Sequence, residues 1–174
     1  MRLHQLKLEY HAEHDRLLLR VSTDDGKEVL LWLTRRCVKL LWPALLQMAQ
    51  GSPQISLQPD SDARAAVLEF RHEQAVSKAD FKTPYEGAVR ERPLGPEPIL
   101  VGRIQWKRDD NAGHVLSLLP LSGQGINLAL DENLLHSFCK LVQNAVAASD
   151  WDFSLTLPQA ASAAAEVQPP RSVN

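Results

Sequence analysis

The feature that most constrains the fold of this chain is a change of hydrophobic pattern that occurs twice. Up to Leu33 the apolar residues follow strand patterns, and directly after Thr34 they recur at the spacing of an amphipathic helix. The same change occurs between Leu130 and Asp131. Thr and Asp are favoured helix N-caps because their side-chain oxygens accept hydrogen bonds from free N–H groups of the first turn. The sequence therefore predicts two units, each made of antiparallel strands followed by one helix.

The first unit is expected to span residues 3–49. Its strands are predicted at 3–11, 16–22 and 29–33. Gly26, preceded by two aspartates, predicts a hairpin turn, because glycine accepts positive φ at little cost. The last strand is apolar throughout, which predicts cover on both of its faces. The helix that follows runs through Met48, and Pro43 inside it predicts a kink, since proline cannot donate a backbone hydrogen bond.

The second unit is expected to span residues 99–157. Its strands are predicted at 99–107, 115–119 and 126–130, with a short closing strand at 151–157. A polar stretch that ends at Gly113 predicts the first turn, and the helix after Asp131 carries an apolar stripe that includes Phe138. Both units together predict an α+β fold with a mainly antiparallel sheet.

A connecting helix is predicted between the units. Residues 50–59 are expected to form a linker, and Asp60 or Asp62 is expected to cap a helix that ends near Lys78. The inward-facing side of this helix is predicted to consist of Ala63, Ala66, Val67, Phe70 and Gln74.

Two further segments are predicted to lack regular structure. Residues 79–98 contain four prolines and two glycines, and Phe81 and Tyr85 are expected to attach the start of this segment to the core. Residues 158–174 have almost no large apolar side chains to offset their chain entropy, so we expect a disordered tail. The remaining residues, 1–157, are expected to form a single domain.

Composition sets limits on function. Hydrophobic residues make up 44% of the 174 residues, which is enough for one core. The 19 basic and 21 acidic residues give a net charge of -2, which argues against a protein that grips duplex DNA mainly through its phosphates. Cys37 and Cys139 form no C-x-x-C pair, so we expect two small buried side chains in a reducing compartment, with a bridge between them as the alternative.

The sequence predicts neither a signal peptide nor a transmembrane helix. The N-terminal residues alternate, and the most apolar window, residues 29–48, is interrupted by Arg35, Arg36 and Lys39. We therefore expect a cytoplasmic protein, bacterial in style.

The two units can be aligned on each other as an internal duplication. Placing Leu33-Thr34 against Leu130-Asp131 matches Gly26 with Gly123, Val29 with Ile126, Leu31 with Leu128, and Leu45 with Val142. A real duplication predicts that the units pair about a pseudo-two-fold axis. Ordinary hairpin–helix segments of similar length would also align in this way.

Two resemblances follow from these patterns. Strands followed by a helix at residues 15–49 and 113–148 resemble the PUR and whirly type of single-stranded nucleic-acid-binding fold, which implies that the sheet binds a single strand. The chain departs from those families, since it has three recognisable strands per unit where they have four and lacks their basic surface. The segments Asp15–Arg20 and Trp32–Arg36 are similar to an uncharacterised family of bacterial proteins, which implies no activity.

Arg35 and Arg36 are the first candidate site. They occupy the first helical turn, where the helix dipole disfavours cations, whereas the second unit has Asp131 and Glu132 at the matching place. An unfavourable charge suggests a partner, so we predict an anion-binding or partner-binding patch. The alternative is a solvated pair neutralised by Asp24 and Asp25.

The second candidate site is the strand at 99–107. Arg103, Gln105 and Lys107 share one face, and Trp106 lies on the other. Basic side chains beside an aromatic ring can follow a single-stranded nucleic acid by charge and stacking. The alternative is that Trp106 faces the core, as expected for Trp32 and Trp42, and that the polar face is only solvated.

No catalytic or metal motif stands out. His11 and His14 flank Glu13 in a turn, but catalytic zinc usually needs three protein ligands, and His72, His114 and His136 look isolated. The sequence contains neither a P-loop nor a nucleophile elbow. We therefore expect a non-enzymatic interaction module without cofactor or metal, whose partner is an unknown protein or a second copy. The alternative is a single-stranded nucleic-acid binder, and an enzyme ranks last.

Overall fold

The fold consists of seven strands and four helices in the part of the chain that the computed structural model describes, residues 2–88, 91–111 and 113–160. The strands are β1 (Leu3–His11), β2 (Arg16–Thr23), β3 (Glu28–Thr34), β4 (Ile99–Leu100), β5 (Arg103–Asp109), β6 (Gly113–Leu119) and β7 (Ile126–Leu130). The helices are α1 (Arg35–Gln50), α2 (Pro53–Ser56), α3 (Ser61–Lys78) and α4 (Glu132–Ala147).

The strands form two sheets. The first has the order β1-β2-β3-β4, with β4 parallel to β3 and the other pairs antiparallel. The second has the order β5-β6-β7 and is antiparallel throughout. The prediction of an α+β fold with mainly antiparallel sheet is confirmed.

Three helices begin at the residues whose chemistry predicts it. The Thr34 hydroxyl accepts from the Cys37 N–H at 3.1 Å, and the Asp131 carboxylate accepts from the Leu134 N–H at 2.8 Å. Asp60, not Asp62, caps α3, accepting from the N–H of Ala63 at 2.7 Å. In each case an acceptor side chain satisfies one free donor of the first turn, which fixes where the helix starts.

Helices α1 and α4 each contact strands of both units. α1 packs against β3 of its own unit and against β5 of the other, while α4 packs against β7 of its own unit and against β1 of the other. α1 and α4 also contact each other, so apolar side chains of both units join one core cluster. Its fully buried large members include Leu17, Leu31, Leu41, Leu45, Leu116, Leu118 and Phe138. The internal duplication stays a prediction.

The single strand predicted at 99–107 is wrong, because the chain changes sheets in its middle. The Val101 N–H donates to the Trp32 carbonyl of the first sheet at 3.0 Å, and the next N–H, of Gly102, donates to the Leu119 carbonyl of the second at 2.9 Å. A Cβ at Gly102 would lie 2.7 Å from Cγ of Leu121, so a larger residue at the crossing would force the exposed Leu121 side chain to move. The linker predicted at 50–59 likewise contains a short helix, α2.

The predicted inward side of α3 is only partly right, since Val67 packs against the core and Ala63 is half-buried, but the other three predicted residues are exposed. The buried residues are Ala65, Leu68, His72 and Ala75. Ala66 and Gln74 are exposed, and Phe70 is 63% exposed. The prediction followed the largest apolar residue, whereas the real inner face combines small residues with a buried histidine.

Residues 151–157 do not form the predicted closing strand. Side chains of the helices hold this segment, since the Trp42 indole N–H donates to the Thr156 carbonyl at 3.3 Å and the Gln143 amide donates to the Leu155 carbonyl at 3.1 Å. Trp151 is buried beside them. Of the predicted tail 158–174, residues 161–174 lie outside the described part of the structure.

Cys37 and Cys139 are buried, free thiols. Burial raises the pKa of each thiol to about 12, so both behave as small apolar side chains, as expected. Among the described helices, none is long and apolar enough to cross a bilayer.

Candidate binding surfaces

The outer face of the first sheet is partly covered by the segment that follows α3, and Glu28 anchors this cover. The Glu28 side chain lies on β3 and the residue is only 2% exposed. Its carboxylate accepts from Arg20 of β2 at 2.9 Å and 3.1 Å, from Nε of Arg92 at 3.0 Å and from the Tyr85 hydroxyl at 2.9 Å. The Glu28 N–H also donates to the Glu91 carbonyl at 2.8 Å.

The contacts of Glu28 keep its carboxyl group ionised. Burial alone would raise its pKa, but hydrogen bonds from Tyr85, Arg92 and Arg20 outweigh burial and lower it. The Arg20 guanidinium also stacks over the Tyr85 ring at 4.9 Å from the centroid. Tyr85 therefore attaches the segment to the outer face of the first sheet and not, as predicted, to the core, while Phe81 is exposed.

Sequence reasoning missed this anchor. The only local signal is that Arg20 and Glu28 lie on facing strands of one hairpin, where Arg20 pairs with Leu30 and Glu28 pairs with Ser22. The partners from the distant segment follow no spacing rule.

Beyond this cover, the first sheet presents an apolar row across three strands. Leu18, Trp32 and Leu100 are direct neighbours in register and point to the same face. The rings of His11 and His14 pack against the Trp32 ring at centroid distances of 5.3 Å and 5.0 Å. The described residues contain no cluster of three or more potential metal ligands.

The outer face of the second sheet is polar and open. Arg103, Gln105 and Lys107 of β5 are all exposed, and they lie opposite Leu119, Ser117 and Val115 of β6. The next strand adds Asn127 and Ala129, both exposed. The Ser117 hydroxyl donates to the Asn127 side-chain oxygen at 2.6 Å. These rows carry two cations and no carboxylate.

Trp106 shares its face of the sheet with the buried Leu116 and Leu118, but it is not part of the core cluster. It is 37% exposed, and its ring meets the His114 ring at 5.8 Å. On its side of β5 only Ile104 packs against the core, because β5 is an edge strand and its far end leaves the apolar cluster. Arg108 is exposed on the same side. The expectation of a core tryptophan at this position is wrong, whereas Trp42 is buried and Trp32 is half-buried.

The two arginines at the start of α1 have different surroundings. Arg35 forms ion pairs with Asp15 at 3.2 Å and with Asp152 at 3.5 Å, and it lies over the Trp151 ring. The Trp151 indole N–H donates to Asp15 at 2.6 Å and, together with Tyr10 and Arg35, lowers the pKa of this carboxyl group.

Arg36 is exposed and forms no ion pair within the described residues. Asp24 and Asp25, the expected neutralising groups, have other partners. Asp24 accepts from the backbone N–H of Arg2, and Asp25 pairs with Lys27 at 3.0 Å. An anion-binding role for Arg35 and Arg36 stays a prediction.

A buried histidine pair joins α3 to α4. Nδ1 of His72 lies 3.1 Å from Nδ1 of His136, so one ring donates and the other accepts. Nε2 of His136 is buried without a hydrogen-bond partner in the described structure. Burial, reinforced by the neighbouring His72, lowers the pKa of His136 to about 4, and burial also lowers that of His72. Both rings therefore stay neutral near pH 7. No local pattern indicates this pair, because residues 64 positions apart meet only in the folded chain.

A small cavity of about 170 Å³ brings Ser52, His114 and Glu132 to one place. These residue types could in principle form a nucleophile, base and acid. However, the buried Ser52 hydroxyl has no hydrogen-bond partner among the described residues, and Glu132 is paired with Arg71. The three side chains do not form a hydrogen-bonded relay.

A further concave feature is a cleft of about 1240 Å³. Residues 2–8, all but the first in β1, line it together with residues 126–129 of β7, and the β2–β3 hairpin adds Val21, Thr23, Lys27 and Val29. Residues 79–86 line another side, and α4 contributes Leu134, Phe138 and Leu141.

Comparison with known proteins adds no relative. No family model matches the chain, and neither a curated protein nor a solved structure was found that matches it.

Proposed function

We propose that this protein is a non-enzymatic binding module and that β5 is its contact with single-stranded nucleic acid. The observation that carries the proposal is the concentration of free cations on one edge strand. Arg103, Lys107 and Arg108 are exposed within six residues of chain, and in the part of the protein that the structure describes none of them forms an ion pair.

Other cations of the sheets are already neutralised. Lys7 pairs with Glu9, Arg20 and Arg92 pair with Glu28, and Lys27 pairs with Asp25. A phosphate that approached those side chains would compete with a carboxylate. At β5 it would not, so the strand supplies attraction to a polyanion without first breaking an ion pair, although Arg103 Nε also donates to the Pro120 carbonyl at 3.3 Å.

The same strand offers hydrogen bonding and stacking. Gln105, Ser117 and Asn127 add amide and hydroxyl groups beside the cations. On the other face of β5, Trp106 is exposed, and the His114 ring supports it from one side. Stacking of one base on an aromatic side chain contributes about 1–3 kcal/mol.

The net charge of -2 predicts binding that is weak at physiological salt. Three neutralised phosphates predict a slope of about -2 in a plot of log K against log salt concentration for a single strand. The test is fluorescence anisotropy with a labelled 20-nucleotide oligothymidine between low and physiological salt. We expect binding at low salt that is lost as salt rises with this slope.

Three variants test whether β5 is the site that binds the oligonucleotide. Arg103→Glu with Lys107→Glu is expected to abolish binding, because it replaces attraction with repulsion. Trp106→Ala is expected to weaken binding about tenfold without changing the salt slope. The matched control, Arg64→Glu with Lys78→Glu on exposed positions of α3, makes the same change of charge away from β5. Equal loss in the control, or no binding at low salt, would contradict the proposal.

The second candidate function is an interaction module for a protein partner. A separate observation favours it: the cleft lies along two strand edges, β1 and β7, that have no strand partner on that side among the described residues.

A further inference from the structure

We infer that the outer face of the second sheet contacts one base of the bound strand through its polar edge and selects thymine or uracil over cytosine. The inference rests on the proposed binding of single-stranded nucleic acid at β5 and adds a base preference to it. The groups that contact the base are Gln105 of β5, Ser117 of β6 and Asn127 of β7. We call these three side chains the polar row.

The polar row crosses all three strands of the second sheet. Gln105 is paired in register with Ser117, and Ser117 is paired with Asn127, so the three side chains point to the same face. Gln105 and Asn127 are exposed, and Ser117 between them is half-buried. Since neighbouring strands lie about 4.8 Å apart, the row extends over roughly 10 Å, which is long enough to contact the whole polar edge of one pyrimidine base.

The hydrogen bond inside the polar row fixes which of its groups remain free. The Ser117 hydroxyl lies 2.6 Å from the Asn127 side-chain oxygen. This separation is in the range of O–H···O bonds, whereas N–H···O bonds are usually about 2.9–3.0 Å long. The hydroxyl therefore donates to Asn127, and its own oxygen is left as an acceptor. The Asn127 amide keeps both of its N–H donors free within the described residues.

The free groups form a pattern that matches the polar edge of thymine and uracil. Gln105 can turn an N–H group towards the row, because its side-chain amide has no hydrogen-bond partner in the described part of the chain. From β5 to β7 the row then presents a donor, an acceptor and a donor. Thymine and uracil present O4, N3–H and O2, which are an acceptor, a donor and an acceptor. All three pairs are complementary.

Cytosine does not match the same pattern. Its N3 atom is an acceptor and would face the lone pairs of the Ser117 oxygen, whose hydrogen is already donated to Asn127. Its N4 amino group is a donor and requires Gln105 to present its amide oxygen instead. Gln105 can turn, but Ser117 cannot redirect its hydrogen without leaving the Asn127 oxygen unpaired. The discrimination against cytosine therefore comes from the centre of the row.

Apolar side chains flank the row on the central strand. Val115 and Leu119 lie two residues before and after Ser117 on the same face of β6, and both are half-buried. Their Cα atoms are separated by roughly 13 Å. The smaller Ser117 side chain between them leaves room for a base that is oriented edge-on. Its polar edge then meets the row, and its two faces meet the apolar side chains.

The free cations of β5 place the backbone of the bound strand beside the row. Gln105 lies between Arg103 and Lys107, two residues or roughly 6.6 Å along the strand from each. A nucleotide whose flanking phosphates contact these two cations therefore has its base over the sheet, at the polar row.

Carboxylates lie at the ends of this face and not in the row. Asp109 is two residues beyond Lys107 and accepts from the Asn111 N–H at 2.9 Å, while Asp131 follows β7 and accepts from the Leu134 N–H at 2.8 Å. Residues 103–107, 115–119 and 127–129 include no carboxylate. The charge that would repel a phosphate is therefore absent from the row itself.

The test compares labelled 20-nucleotide oligothymidine with oligodeoxycytidine by fluorescence anisotropy against the full chain. Both are measured at low salt and mildly alkaline pH, where cytosine is neutral. We expect oligothymidine to bind at least about fivefold more tightly. Oligodeoxyuridine, which lacks the thymine methyl group, should show the same preference over oligodeoxycytidine. The preference should persist as salt weakens both complexes, because hydrogen bonds to a base release no counterions.

Substitutions at the centre of the row locate the preference. Ser117→Ala removes the acceptor and lets the Asn127 amide turn, so the affinity for oligothymidine should fall to that for oligodeoxycytidine with the same salt slope. Ser117→Thr keeps the hydroxyl and should keep the preference. Ser77→Ala is the matched control, because it removes an exposed hydroxyl that donates to the Gln74 carbonyl on α3. It should leave both affinities unchanged.

Oligomers of ribonucleotides distinguish the two sources of the base. Oligouridine against oligocytidine repeats the comparison with the ribose sugar. A preference in the deoxyribose series, in the ribose series or in both supports the inference and shows which nucleic acid carries the selected base.

The outcomes separate the base preference from the binding itself. Equal affinity for both bases in each series, with the expected salt slope, would overturn the inference and leave the binding by β5 in place. A preference that survives Ser117→Ala would also overturn it. If no oligomer binds at low salt, the proposed function is wrong and the base preference fails with it.

Discussion

The two sheets of this protein begin from similar strand patterns but treat their outer faces differently. The outer face of the first sheet is partly covered by the segment after α3, which is held by one buried carboxylate and its two arginines and tyrosine. The outer face of the second has exposed cations and amides with no comparable anchor among the described residues. One buried charge can therefore decide whether a sheet face is covered by another segment or stays exposed to solvent.

The helices α1 and α4 differ in the sign of the charges in their first turns. α1 begins with two arginines, and Arg35 needs Asp15 and Asp152 to offset its unfavourable place near the helix N-terminus. α4 begins with Glu132, which has the favourable sign and pairs with Arg71 of α3. Both helix starts are paired through contacts distant in sequence, but only Glu132 of the second unit also has the sign that the helix dipole favours.

The largest expected effect comes from removing the anchor of the first sheet. Glu28→Gln should lower the free energy of unfolding by about 3 kcal/mol, because it leaves two arginines near a neutral amide. Urea denaturation measures this, and trypsin should cut faster after Lys82 and Arg92. Glu9→Gln, on the same face but in an exposed ion pair, should change stability by less than about 0.5 kcal/mol. Equal effects would mean that burial of Glu28 adds nothing.

The next largest effect is a pH dependence of the free energy of unfolding. It arises at the contact between α3 and α4, where His72 meets His136. His136 has a folded pKa of about 4 against an ordinary value of 6.5. Its stabilising contribution is therefore complete above pH 6.5 and is lost as pH falls towards 4, since the unfolded chain binds the proton first. Arg71, Glu73, Glu132 and Lys140 are the charged groups that act on the pair.

Between pH 7 and pH 5 this loss should amount to about 2 kcal/mol. The measurement is the urea midpoint at both pH values for the native chain and for the double variant His72→Leu with His136→Leu. Replacing both partners by apolar side chains leaves no orphaned polar group, so the variant should fold and show a smaller difference. An unchanged difference would assign the pH dependence to other groups.

The smallest effect concerns the helix starts. Arg36→Glu gives α1 the charge that α4 already has, and it should raise the free energy of unfolding by about 0.5 kcal/mol, because an acidic residue suits the helix N-terminus. Arg36→Gln should give roughly half of this gain. Thermal denaturation at low salt measures both. A loss of stability in either variant would show that Arg36 makes a favourable contact in the native chain.

Local patterns predicted the elements where local chemistry decides the outcome. The N-caps Thr34 and Asp131 and the strand at 126–130 lie where the sequence placed them, since capping and alternation involve neighbours only. The inner face of α3 could not be predicted in this way, because it depends on which neighbour His72 meets. The crossing at Gly102 likewise depends on two sheets that exist only in the folded chain.

The amino-acid sequence by itself determined the hairpin-then-helix order of both units, the starts of α1 and α4 and the polar face of β5, because these follow from propensity, capping and periodicity. Only the tertiary structure decided that Glu28 meets two arginines and a tyrosine, that two histidines share one hydrogen bond, and that the edges of β1 and β7 line a common cleft. Such contacts join residues far apart in the chain, and their partners are selected by packing geometry, which no local pattern encodes.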